Sequence, residues 1–112
     1  MMLPNAEQAF IDDAKLVEYS LAADHPVGAN KALRFRSALG FTVRDADKLR
    51  SLILEAVLIH DAVPGRRDEF GQRYAVDFPV KTEVGSAVVR SAWIVRKNEI
   101  SPRLTSCFVL PN

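Results

Sequence analysis

The chain has 112 residues with a formal net charge of +1, of which 48% are hydrophobic and 26% charged. That length predicts a single domain over 1–112 with one modest core, and the balance of apolar and charged residues excludes a disordered chain. A charge so close to zero excludes a polycation, so any contact with nucleic acid has to come from a local patch.

The opening Leu3-Pro4-Asn5-Ala6-Glu7-Gln8 reads as part of an extended arm over residues 1–10, with Pro4 as its break. Asp12 or Asp13 can cap a short helix over Ala14–Leu21, with Leu16 and Tyr19 on one side. Pro26 and Gly28 then interrupt the chain. A second helix is predicted from Asn30 to Leu39, where Ala32, Phe35 and Leu39 make an apolar stripe and Gly40 is a natural left-handed stop. Lys31, Arg34 and Arg36 lie off that stripe. Thr42 followed by Asp45 resembles a capping box with Asp in place of the usual Glu. A third helix follows, and Leu49, Leu52, Ile53, Ala56, Val57 and His60 form its core-facing stripe. Pro64-Gly65 ends that stretch, and the charged segment Gly65–Gly71 reads as a loop.

From Arg73 the period changes to two. Tyr74, Val76, Phe78 and Val80 alternate with Arg73, Ala75, Asp77 and Pro79, as in a strand with one buried face. Pro79 cannot donate to a ladder, which puts it at an edge or at the strand's end. Further strands are predicted over Ala87–Lys97 and Leu104–Leu110, with turns at Lys81–Gly85 and Asn98–Pro102. Helices followed by hairpin-linked strands predict an α+β fold: about three N-terminal helices on one face of a three- or four-stranded antiparallel sheet. The first arm is the candidate fourth strand. Strand–helix–strand alternation is missing, so a doubly wound nucleotide-binding fold is not expected.

No apolar run approaches the ~20 residues of a membrane-spanning helix, and Met1-Met2-Leu3-Pro4-Asn5 does not read as a secretion signal. Cys107 is the sole cysteine, which excludes a disulfide within the chain and fits a reducing, cytoplasmic setting. Its apolar neighbours predict a buried, inert thiol.

Two basic segments carry the candidate chemistry. His25 stands between Asp24 and Pro26 just ahead of a helix. Its imidazole can exchange a proton near neutrality, or it can be a surface turn residue. Lys31, near a helix start, can hold a phosphate or be a solvated side chain. Arg90 and Arg96 share one face of the middle strand, with Ser91 and Trp93 on the other. If Trp93 is core, the arginines line the open face of the sheet, joined by Arg103 and Thr105 from the last strand and Arg73 from the first. Such a row can fork phosphates or form a salt-bridged solvent face with Asp77 as one partner. His60 reads as a helix-end histidine favoured by the C-terminal dipole. No pair of residues has His-x3-His or Cys-x2-Cys spacing, so no metal and no cofactor are expected. No Gly-x-Ser-x-Gly elbow supports a serine hydrolase.

The strings Leu3-Pro4-Asn5-Ala6-Glu7, Asp24-His25-Pro26-x-Gly28 with Lys31-Ala32, Tyr74-x-Val76-Asp77-Phe78-Pro79, Arg90-Ser91-Ala92-Trp93-Ile94 and Pro102-Arg103-Leu104-Thr105 together resemble a small bacterial domain family of unknown function. The layout is also similar to the barnase–EndoU–colicin–RelE group of metal-independent, toxin-type ribonucleases, which place helices first and a small antiparallel sheet afterward. That resemblance implies His25 as the proton-transfer group. It implies Lys31, Arg90 and Arg103 as stabilisers of the pentacoordinate phosphorane charge, and Thr105 as a hydrogen-bond donor to a phosphate oxygen. The near-neutral charge departs from the strongly basic small ribonucleases. The alternative is a non-catalytic module of immunity or adaptor type, which adds its sheet edge or its arm to a protein. The expected partner is therefore RNA or another protein, and no membrane.

Overall fold

The chain turns from helix to sheet after Ile59, one strand before its apolar period falls to 2. The structure, a computed structural model, describes residues 1–22 and 29–111. A 3-10 turn at Ala6–Gln8 interrupts the predicted arm. It is followed by α1 (Asp13–Lys15), which runs on as a π-helical turn over Leu16–Ser20, then by α2 (Ala29–Leu39) and α3 (Ala46–Ile59). The strands are β1 (Ala62–Asp68), β2 (Gly71–Lys81), β3 (Ser86–Arg96) and β4 (Arg103–Val109), paired antiparallel in the order β1-β2-β3-β4. The α+β expectation, helices before an antiparallel sheet, is what the chain adopts.

Each helix starts and stops for a local reason. Asp12 accepts a hydrogen bond from the Ala14 N–H at 3.1 Å, and Arg50 of α3 ties α1 down through the Asp13 carboxylate and the Ile11 carbonyl. Ala32, Phe35 and Leu39 are buried, as the stripe on α2 predicts. Gly40 then takes φ 74° to end the helix, a conformation that disfavours a Cβ. The capping box ahead of α3 is real. The Thr42 hydroxyl accepts from the Arg44 N–H at 3.3 Å, and the Asp45 carboxylate accepts from the Thr42 N–H at 2.9 Å. Leu49, Ile53, Ala56 and Val57 then face inward.

The helices cover one face of the sheet: α2 packs on β3 and β4, and α3 on β2. Val76, Phe78 and Val80 of β2, Val89 and Trp93 of β3, and Leu104, Cys107 and Val109 of β4 meet them in one buried cluster. Each fully buried large aliphatic or aromatic side chain there contributes about 1.5–3 kcal/mol of transfer free energy. Ser20 at the end of the π turn donates its hydroxyl to the Cys107 carbonyl at 3.0 Å, pinning the first helical segment to β4.

Two expectations need correction. Gly65–Gly71 is not a loop: most of it belongs to β1, which hairpins into β2 through a turn in which the Phe70 N–H donates to Asp68 at 2.9 Å. The alternation was hidden because β1 is an edge strand that buries only Ala62 among its first six residues. A charged edge resists pairing with other chains. The fourth strand is thus β1, not the arm. The arm makes an isolated parallel bridge, Phe10 to Arg103, at the β4 edge, while the Met1 carbonyl accepts from the Ala62 N–H at the β1 edge. Pro79 is accommodated because β1 pairs with β2 only as far as Val76, leaving β3 as the neighbouring strand at that point. Among the described residues, no helix is long and apolar enough to cross a membrane.

The β1–β2 hairpin depends on one glycine. Gly71 has φ +142°, and a Cβ there would lie 2.2 Å from the Val95 carbonyl oxygen, whereas a Cβ at Gly65 would meet nothing closer than 3.7 Å. Gly71→Ala is expected to lower unfolding free energy by at least about 2 kcal/mol, and Gly65→Ala to change it by less than about 1 kcal/mol. Urea denaturation of both variants checks the contrast; equal midpoints would contradict it.

Candidate functional site

The face of β3 that meets the helices decides which side chains are left outside. Ser91 and Trp93 are 0% and 1% exposed. The Trp93 indole N–H donates to the Ser91 hydroxyl at 2.9 Å, and that hydroxyl donates to the Val76 carbonyl, also at 2.9 Å. Strand alternation then turns Arg90 to the open face. There it stands directly opposite Asp77 of β2, and the two form a bidentate pair at 2.8 and 2.9 Å. The hydrogen bonds that Arg90 donates to the Asp77 carboxylate raise its pKa above the ordinary value, with desolvation opposing them. Both side chains remain more than a third exposed, so the pair contributes at most about 1 kcal/mol.

The other candidates are spread along the β3–β4 ladder. Lys31, at the start of α2, lies 5.2 Å from the centre of the Phe108 ring, and Phe108 is the residue opposite Arg90. Lys31 and Arg90 therefore share one end of the sheet. Arg103 is opposite Ile94, four residues along β3 from Arg90, a separation of roughly 13 Å at the usual strand rise. It pairs with Glu99 at 3.1 Å and lies 5.3 Å from the Phe10 ring centre. Thr105 is the extra residue of a register shift between Ala92 and Trp93, and its hydroxyl donates to the Ala92 carbonyl at 3.1 Å. His25, with Asp24, Pro26 and Gly28, lies outside the described residues.

A second feature of the open face was not visible in the sequence. Between β1 and β2 runs a groove of about 640 Å³ that brings Arg66, Arg73 and Arg90 together, with His60 also on its lining. Reading Gly65–Gly71 as a loop removed the strand that forms one wall. Asp68 sits beside this groove, 3.0 Å from Arg66 and 3.8 Å from Arg73. The Phe70 backbone N–H is the main cause that holds the Asp68 carboxyl below its ordinary range, with the two arginines adding to it.

Comparison with known families agrees with the resemblance drawn from the short motifs. A family profile described as "Domain of unknown function (DUF6883)" matches residues 2–111. The chain belongs to this family. No curated protein and no solved structure matches it significantly. The description of DUF6883 names no reaction, so the chemistry of this DUF6883 domain has to be argued from its own side chains.

One candidate group is chemically silent. Cys107 is fully buried, and burial pushes its thiol far above the usual range, with the charge of Lys31 pulling weakly the other way. Because the thiolate is the reactive species, Cys107 of the folded DUF6883 domain is expected to react with a disulfide reagent at pH 8 only as fast as the protein opens. It should react within seconds in denaturant. Rapid modification of the native protein would contradict the burial.

Proposed function

We propose that this DUF6883 domain is a toxin-type ribonuclease that cleaves RNA without a metal, on the sheet face that the helices leave open. The observation that carries the reading is the placement of Lys31, six residues after His25 in the chain, and Arg90 at one end of the β3–β4 ladder. In this reading the His25 imidazole takes the proton from a ribose 2′-hydroxyl. The resulting oxygen bonds to the adjacent phosphorus and the bond to the 5′-oxygen breaks. A proton from water completes the leaving hydroxyl, and a 2′,3′-cyclic phosphate remains. Lys31 and Arg90 stabilise the extra negative charge on the pentacoordinate phosphorus, by electrostatics set in advance. A phosphate oxygen can compete with Asp77 for Arg90, since an exposed pair of this kind contributes little. Arg103 and Thr105, farther along the ladder, hold the substrate strand away from the reacting phosphate.

A second reading is supported by a specific observation. Arg90 and Arg103 each already hold a carboxylate, Asp77 and Glu99, which fits a salt-bridged face that docks on a protein of immunity or adaptor type. Incubation with RNA in EDTA separates the two. The ribonuclease reading predicts fragments ending in cyclic phosphate, with His25→Ala slower by about 10²–10⁴-fold, the usual worth of a proton-transfer group. Intact RNA at micromolar protein, or an unchanged rate in His25→Ala, would leave the protein-binding reading in its place.

A further inference from the structure

We infer that the groove between β1 and β2 is a nucleotide subsite, in which a base lies over Val63 and Ala75 and its phosphate is held by Arg66 and Arg73. The inference rests on the proposed action on RNA and names where the strand is gripped.

The shape of the groove comes from small side chains and from a break in the ladder. Val63 and Ala75 are register partners on the outer face, with Ala92 next to Ala75 across β2 and β3. Pairing between β1 and β2 shifts between Pro64 and Arg67, and Gly65 adds no side chain beside Arg73, whose Cβ would lie 3.7 Å from a Cβ placed there. A shallow apolar floor results, in a space of about 640 Å³, within the usual ~300–1,000 Å³ of small-molecule sites. Irregular edge pairing of this kind recurs beside binding sites because it re-aims side chains.

The charge distribution sets the ligand's orientation. At the Arg90 end, Asp77 matches the guanidinium one for one, and Asp61, also on the lining, has the N-terminal ammonium as its partner at 3.9 Å. At the other end Arg66 and Arg73 share a single carboxylate, Asp68, so one positive charge is left over. Arg73 Nε is also buried with no hydrogen-bond partner among the described residues. A buried donor without an acceptor is destabilising, and a phosphate oxygen would satisfy it. An apolar floor flanked by guanidinium planes suits an unstacked base, the form in which single-stranded RNA is read. The groove ends at Arg90, so a nucleotide seated in it adjoins the phosphate assigned to that residue.

The test uses a 2′-O-methyl RNA oligonucleotide, which binds as RNA does but has no 2′-hydroxyl to attack. Its affinity for the full chain is measured by fluorescence anisotropy in wild type, Arg73→Gln, Arg66→Gln and Ala75→Leu, with Arg44→Gln as a control. Arg66 is largely exposed, so its variant keeps the test valid if another fails to fold. Each groove variant is expected to weaken binding by about 5–10-fold, and the arginine variants to reduce the salt slope by about one. For cleavable RNA each should raise KM with kcat nearly unchanged, while the control matches wild type. Binding within twofold of wild type in all folded groove variants would overturn the subsite. If it does so while His25→Ala still abolishes cleavage, the ribonuclease reading survives alone. If the groove variants lose binding but wild type cleaves no RNA, the subsite stands and the catalytic reading falls.

Discussion

Trp93 and Ser91 occupy one hydrogen-bonded position at the centre of the sheet, and the molecule's surface chemistry follows from it. Indole, hydroxyl and the Val76 carbonyl form a chain of two buried bonds. Leaving either donor unpaired there would cost about 1–3 kcal/mol. The same bonds hold β3 in register with β2, and a slip of one residue would turn every side chain of β3 to the opposite face. With the register fixed, Val89, Ser91 and Trp93 go to the helices, and Arg90 goes to the open side opposite Asp77.

The open face is not uniform. At its β3–β4 end, Lys31 reaches Phe108 and so approaches the strand position of Arg90. At its β1–β2 side, two arginines compete for Asp68 over a floor of small side chains. Near the far end of β4, Arg103 is held by Glu99 and the ring of Phe10. A chain of net charge +1 can therefore still present a local cationic track, because its carboxylates are matched unevenly along the face.

The helices were legible because their signals are local. Thr42 and Asp45 announce the third helix, and Phe35 and Ile53 fall where 3.6-residue spacing puts them. The parity of β3 was equally legible, and so was the pairing of Arg90 with Asp77. What failed was non-local. β1 shows no alternation because, past Ala62, its edge position leaves nearly every residue in solvent, so Gly65–Gly71 reads as a loop. Without β1 there is no groove, and His60 and Arg66 have no reason to be considered beside Arg73. The register shift at Ala92–Trp93 is set by strand pairing, not by composition, and it takes Thr105 out of the alternating row to which parity assigned it. Glu99 and Arg103, four apart in sequence, could have been paired across the turn that the sequence did show.

Chemical-shift mapping of the backbone amides and arginine Nε groups, during titration with an uncleavable RNA strand, tests most directly the claim that the helix-free face is where this domain works. The account predicts perturbations on Arg73, Ala75, Asp77 and Arg90, with the exposed residues of α3 unmoved. Shifts confined to the helical side, or the same small shifts everywhere, would contradict it.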